Sequence, residues 1–434
     1  MGRSKGLIHK SIRRANTMNR SRLMINVIFM LVPLLTPVIG KASTSMLSIP
    51  EALPKGAIVN GNSQFAFKMQ RQFGDYEHNA FFSPYSISLV FGMLYSGAAD
   101  ETAQQIKNIF HFPAAQNALP IYFGRLNNQL MKTAKDKTTG KNIELNIANG
   151  IWVEKSYHFL PSYIEMLKNS YQSKINKADF LNNLNQEIVQ INSWVEQKTN
   201  DRIKDLIPDG ALNPLTKMVL VNAIYFKGDW QKPFKGHSTT KGDFYTFNNQ
   251  ILQTQMMHQR GRFSVAEDEN TQLIELLYQG GNYSMLVLLP KNNSDIKQLE
   301  TNLTSEKLNQ LTNKLAMNQV SLSLPKFKFV TEYRLNSYLS ALGVTNAFSS
   351  KADFSNIDGT QSLQISEVIH KAFIEVNEKG AEAAAATAVV IRATSIPNYV
   401  EFNANRPFVF MIKEKTTDSI LFIGRFAAPN KKKI

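Results

Sequence analysis

The chain has 434 residues, 43% hydrophobic and 19% charged, the proportions of a globular protein with a large core. It contains no cysteine, which excludes a disulfide framework, a thiol nucleophile, a Cys-ligated zinc site and an iron–sulfur cluster. The net charge of +15 points to a nucleic-acid binder only until it is located: eight of the 49 basic residues and no acid fall in residues 1–42, leaving +7 on the rest. So moderate a balance implies no nucleic-acid partner.

Taken in chain order, the first element is a targeting leader. A basic stretch precedes an apolar run of about 17 residues at 23–39, followed by the small residues Gly40, Ala42 and Ser43. This is the pattern of a signal peptide, cleaved here after Ala42. Asn26, Pro33 and Pro37 interrupt the run, so an uncleaved membrane anchor is the second reading. No linker, repeat or low-complexity tract divides residues 43–434, which are expected to form one mixed α+β domain. That domain is expected to be secreted, or periplasmic in a bacterium, and monomeric.

Ser83 and Pro84 supply a helix N-cap and a proline in the first turn, and Ile87, Phe91 and Leu94 follow at helical spacing until Gly97 stops the helix. Ile188, Ile191, Trp194 and Val195 predict a second amphipathic helix before a strand at 218–226. Further strands are predicted at 283–289, 320–324, 373–376, 408–412 and 420–423. Residues 378–391 (EKGAEAAAATAVVI) conflict with themselves, because propensity favours helix first and strand second.

Enzyme chemistry is not legible. There is no GxSxG elbow, phosphate-binding loop, HExxH or GxGxxG, and the seven histidines show neither helical nor metal-ligand spacing. No cofactor, metal or catalytic residue is assigned.

Four ordered stretches carry a resemblance instead: NAFFSPYSISLVFGMLYSGAADET at 79–102, LVNAIYFKGDWQKPF at 220–234, EVNEKGAEAAAAT at 375–387, and ANRPFVFMI at 404–412 with ILFIGR at 420–425. Together they resemble the serpin family of serine protease inhibitors, over residues 58–429. The resemblance implies one large domain with three β-sheets, eight or nine helices and a reactive-centre loop at about 378–402. The third stretch is similar to the hinge of inhibitory, antithrombin-like members, with Glu378, Gly380, Ala381, Ala383, Ala384, Ala385, Ala386 and Thr387 at hinge positions. Ala381 stands where the family usually has Thr or Ser. The resemblance also places Ser83, Ser86, Asn222 and His370 in a polar cluster beneath the sheet that opens, and Trp230 at the end where insertion begins.

The residues themselves support insertion. Laid out as a strand, Ala381, Ala383, Ala385, Thr387, Val389 and Ile391 share one face, while the charges of Glu382 and Arg392 fall on the other. Such a strand enters a packed sheet without burying a charge on its inner face. Non-inhibitory serpins acting as carriers or chaperones are expected to carry bulky, charged or proline residues there.

For the reactive bond two arguments disagree. The family's spacing counts seventeen residues from Glu378 and gives Thr394-Ser395, suited to elastase-like or subtilisin-like proteases. Chemistry alone would choose Arg392-Ala393, a trypsin-like site. Cutting there would shorten the inserted strand, so Thr394-Ser395 is the expected bond and Arg392-Ala393 the alternative. Lys132, Lys135, Lys137 and Lys141 offer a polyanion cofactor site, for which a solvated basic loop is the favoured reading. Sequons stand at Asn282, Asn292 and Asn302.

Overall fold

A computed structural model describes residues 56–113, 115–134, 143–291, 296–379 and 398–429. The leader, Lys135, Lys137, Lys141, Asn292, the hinge positions from Gly380 to Thr387 and the residues of both alternative reactive bonds lie outside the described residues.

In chain order the first elements are α1 (Ala57–Gln72), β1 (Ala80–Phe82), α2 (Pro84–Gly97), α3 (Asp100–Phe110), α4 (Leu119–Ala134), β2 (Glu144–Glu154), α5 (Pro161–Met166), β3 (Ile175–Ala178) and α6 (Phe180–Lys198). Next come β4 (Met218–Lys227), β5 (Thr239–Tyr245), β6 (Ile251–Glu267), β7 (Thr271–Leu277), β8 (Tyr283–Pro290), α7 (Ile296–Asn302) and α8 (Ser305–Asn313). The last are β9 (Ala316–Pro325), β10 (Phe327–Arg334), α9 (Asn336–Leu342), α10 (Ser355–Asp358), β11 (Glu367–Val376), β12 (Val400–Asn403), β13 (Phe408–Glu414) and β14 (Ser419–Phe426).

Five strands form one sheet in the order β10-β11-β4-β2-β3, and nine form another, β1-β14-β13-β8-β7-β6-β9-β12, with β5 also on β6. Strand β6 is shared by two blades: residues 251–257 pair β5, 256–265 pair β9 and 264–267 pair β7. Counted as blades, with the five-stranded sheet, these make the three sheets that the sequence implies. All six predicted strands and both predicted helices are present. Among the described residues the structure adds eight strands, β1, β2, β3, β5, β6, β7, β10 and β12; in β2, β6 and β10 polar positions interrupt the hydrophobic pattern.

Helix α2 forms where predicted. The Ser83 side chain accepts a hydrogen bond from the Ser86 N–H at 3.1 Å, and Pro84 occupies the first turn. It is buried on nearly every side because it touches β14 of one sheet and β2 and β4 of the other. Gly97 does not stop it by adopting a left-handed conformation. It lies inside the helix, where a Cβ would stand 2.3 Å from Ile357 Cγ1, so glycine is required by close packing.

Strand β4 shows why the five-stranded sheet is nearly continuous in hydrophobicity: both faces are covered. Val219, Val221, Ala223 and Tyr225 share a cluster with Phe180, Ile191 and Val195 of α6. Met218, Leu220, Ile224 and Phe226 belong to the main core. Asn222 falls in that second row, so its amide must find partners within the interior. Arg425 is also buried and pairs with Glu300 at 2.7 Å, donating as well to Phe73 O at 2.9 Å, which ties β14 to α7 and the end of α1.

Candidate functional site

Strands β4 and β11 lie side by side and parallel, in register from Glu367↔Val219 to Phe373↔Tyr225. Their pairing stops there. Beyond it β11 continues to Val376 along β10, and β4 continues to Lys227 along β2. The two central strands are therefore unpaired with each other at the end where the chain leaves β11 towards residues 380–397.

Below the opening, the paired region is crossed by a polar seam. His370 and Asn222 are register partners, and the His370 ring and Asn222 Oδ1 are joined by a hydrogen bond. The Ser83 N–H donates to His370 Nε2 at 3.2 Å, and a backbone N–H can only donate, so Nε2 carries the lone pair. The ring proton is then on Nδ1 and donates to Asn222 Oδ1. Asn222 Nδ2 donates in turn to Ser86 Oγ at 2.8 Å and to Asn149 Oδ1 at 2.7 Å. Ser86 Oγ donates to Asn149 Oδ1 at 2.7 Å, and Ser83 Oγ donates to Leu421 O at 2.6 Å. Ser83, Ser86, Asn222 and His370 thus come together across α2, β4 and β11. Asn149 of β2 is an additional member. Its signal was present in the sequence: in the alternation of β2 it occupies the row of Leu145, Ile147, Ile151 and Val153, and a polar residue in an apolar row needs a partner.

Burial draws the His370 pKa from 6.5 down to about 3, with the hydrogen bond at Asn222 acting the other way. A second proton would set two donors, Nε2–H and the Ser83 N–H, against each other. As pH falls the unfolded ring protonates first, at an ordinary value near 6.5, so the stability contributed by the neutral ring is complete above that pH and is lost towards about 3. Between those limits wild type should lose about 1.4 kcal/mol per pH unit more than His370→Gln. Denaturant midpoints at a series of pH values check this, and parallel curves for the two proteins would exclude His370 as the titrating group.

At the open end, Trp230 Nε1–H donates to Asn377 O at 2.9 Å, the Trp230 N–H to Lys379 O at 3.2 Å, and the Phe234 N–H to Glu378 O at 2.8 Å. The Trp230 ring stacks on Tyr278 at 4.5 Å. Glu378 is held by Lys326 Nζ at 2.9 Å and by Thr239 Oγ1 at 2.9 Å. Burial alone would push its carboxyl pKa up, but the Lys326 bond, the backbone and Thr239 hold it below the usual range. Trp230 therefore stands beside the stretch 377–379 that follows β11. Lys326 and Thr239 carried no signal, since they act through position alone.

Lys132 lies in the last turn of α4. Asn302 is exposed at the end of α7, whereas Asn282 directly precedes the buried Tyr283 and Ser284 and its carbonyl accepts from the Lys415 N–H at 2.8 Å. Among the described residues no three His, Cys, Asp or Glu side chains could hold a metal ion, and no helix is long and apolar enough to cross a membrane.

The family model described as Serpin (serine protease inhibitor) matches residues 60–429, and the chain belongs to the serpin family. It is 41% identical over 389 residues to human Serpin B4, covering 86% of this chain and 100% of that protein. It is 39% identical over 376 residues to the leukocyte elastase inhibitor of Xenopus tropicalis, covering 85% and 98%. Human thyroxine-binding globulin has the same fold at a TM-score of 0.77 and 30% identity, covering 87% of this chain and 99% of that one. The names of an elastase inhibitor and of a thyroxine-binding globulin thus both occur among the proteins this chain resembles.

Proposed function

We propose that this serpin inhibits serine proteases by offering residues 378–402 as a substrate and then inserting the cleaved segment between β4 and β11. The observation that carries this reading is the central pair: parallel neighbours, separated at the end where the hinge begins and joined below by a seam of side-chain hydrogen bonds. A segment returning from the end of β11 would run antiparallel to both strands, replacing one parallel ladder with two antiparallel ones, which are slightly more stable per residue.

The protease serine attacks the scissile carbonyl carbon, the amine of the following residue leaves with a proton from the protease histidine, and an acyl-enzyme remains. Insertion then withdraws the ester and distorts the protease before water can hydrolyse it. About ten new ladder hydrogen bonds at roughly 0.5–1.5 kcal/mol each, with apolar burial added, favour the inserted form by roughly 10 kcal/mol or more. The uninserted chain is accordingly a kinetic trap. The small inner face of Ala381, Ala383, Ala385 and Thr387 favours this reading over a carrier or chaperone.

We assign the inhibitory bond to Thr394-Ser395 and the target to an elastase-like or subtilisin-like protease, with a trypsin-like enzyme cutting Arg392-Ala393 as the alternative. The test is incubation with a panel of serine proteases, a denaturing gel for the covalent complex, and amino-terminal sequencing of the released fragment. A fragment beginning at Ser395 is expected. One beginning at Ala393 together with efficient trapping of trypsin overturns the bond assignment, and absence of any covalent complex leaves the carrier reading. Residues 1–42 further assign the protein to export, which sequencing of the amino terminus from the exported fraction tests.

A further inference from the structure

Beside the open end of the sheet lies a pocket of about 80 Å³, set between residues 230–234 and strands β6 and β7. Its walls are largely apolar: Trp230, Phe234, Phe263, Leu277 and the exposed Met317. Two cations join them. The Lys232 ammonium donates to Arg262 O at 2.6 Å and lies 5.3 Å from the centre of the Phe263 ring. The Arg262 guanidinium has no partner among the described residues. The carboxylate in the lining, Glu275, is engaged by Lys415 at 2.7 Å. Positive charge is therefore left over in the pocket.

One further atom is unsatisfied. Gln259 Nε2 donates to Pro233 O at 3.0 Å, which fixes the orientation of the amide and leaves Oε1 buried with no donor. Buried acceptors are normally paired, and an unpaired one that lines a pocket is a position for a ligand's donor. Apolar walls with a few converging polar groups are the usual make-up of a small-molecule site.

We propose that this pocket binds a small hydroxy-carboxylic acid with an apolar body and controls the hinge by doing so. The body rests on Trp230 and Phe263, the carboxylate is held by Arg262 and Lys232, and the hydroxyl donates to Gln259 Oε1. The consequence follows from shared residues. Trp230 and Phe234, which line the pocket, make the three hydrogen bonds to Asn377, Glu378 and Lys379 that hold the start of the hinge. An occupant packed on both residues binds the state with the hinge in place more tightly than a state in which it has moved, and so favours the uninserted form. This coupling rests on the insertion mechanism proposed above; the binding itself does not.

The test is calorimetric titration of the full chain with 4-hydroxybenzoate as probe. Saturable binding is expected, weakened at least about tenfold by Arg262→Ala and by Gln259→Leu, the loss of one charge-assisted or buried hydrogen bond, and unchanged by Lys241→Ala on β5. Two variants with different chemistry guard against one that fails to fold. With a protease that forms the covalent complex, saturating probe should raise the fraction of inhibitor turned over as substrate. No saturable binding in the millimolar range, or binding indifferent to both substitutions, overturns the site. Binding with an unchanged substrate fraction overturns the coupling. Absence of a covalent complex with every protease would instead sink the inhibitory reading, leaving the binding result standing.

Discussion

Ala381→Arg is expected to turn the protein from a trap into a substrate, cut at the same bond but no longer retained by the protease. Ala381 begins the inner face of the segment proposed to insert, and the strands that would flank it are buried, Asn222 on β4 and His370 on β11 included. A guanidinium placed between them costs several kcal/mol to desolvate. Insertion competes with hydrolysis of the acyl-enzyme, and each 1.4 kcal/mol added to one barrier shifts the partition about tenfold. The moles of inhibitor consumed per mole of protease blocked should therefore rise by about a hundredfold or more, while the rate of loop cleavage stays near the wild-type value. Glu382→Lys, on the face that already carries a charge, should change that ratio little. Equal inhibition by wild type and Ala381→Arg would remove the basis for insertion.

The second large effect is on stability. Cutting residues 380–397 anywhere should raise the melting temperature, whereas nicking an ordinary surface segment lowers it or leaves it unchanged. The cut frees one end to enter between β4 and β11, where the strands already stand apart beyond Phe373 and Tyr225. A gain of roughly 10 kcal/mol in a domain of this size corresponds to an increase of at least about 10 °C. Differential scanning calorimetry of intact and nicked protein checks it. Coincident melting curves would mean either that no insertion occurs or that the segment was already inserted before the cut.

Under the insertion mechanism proposed above, the seam is what would hold the sheet closed before cleavage. Inserting a strand there requires the His370–Asn222 contact to break, and with it the order of donors that runs through Ser86 to Asn149. Each group must find a new partner at once, because an unpaired buried polar group costs about 1–3 kcal/mol. A barrier of this kind slows opening without requiring that the closed sheet be the more stable form.

Local signals determined what could be read residue by residue. The cap at Ser83, the run of β4 and the stripe of α6 depend on neighbours three or four positions away, so composition and period suffice. The small-residue hinge and the separation of Glu382 and Arg392 from the opposite face are likewise properties of the sequence alone. Tertiary structure decided the rest. Nothing local distinguishes Lys326 from other lysines until it meets Glu378, 52 residues away, and nothing sets His370 against Asn222 until two strands 148 residues apart come into parallel register. The long strand β6 escaped notice because much of its surface is polar and exposed, which removes the hydrophobic alternation by which strands are recognised. Where β4 and β11 cease to pair belongs to the tertiary arrangement: beyond Phe373 and Tyr225 β11 keeps β10 as its neighbour and β4 keeps β2.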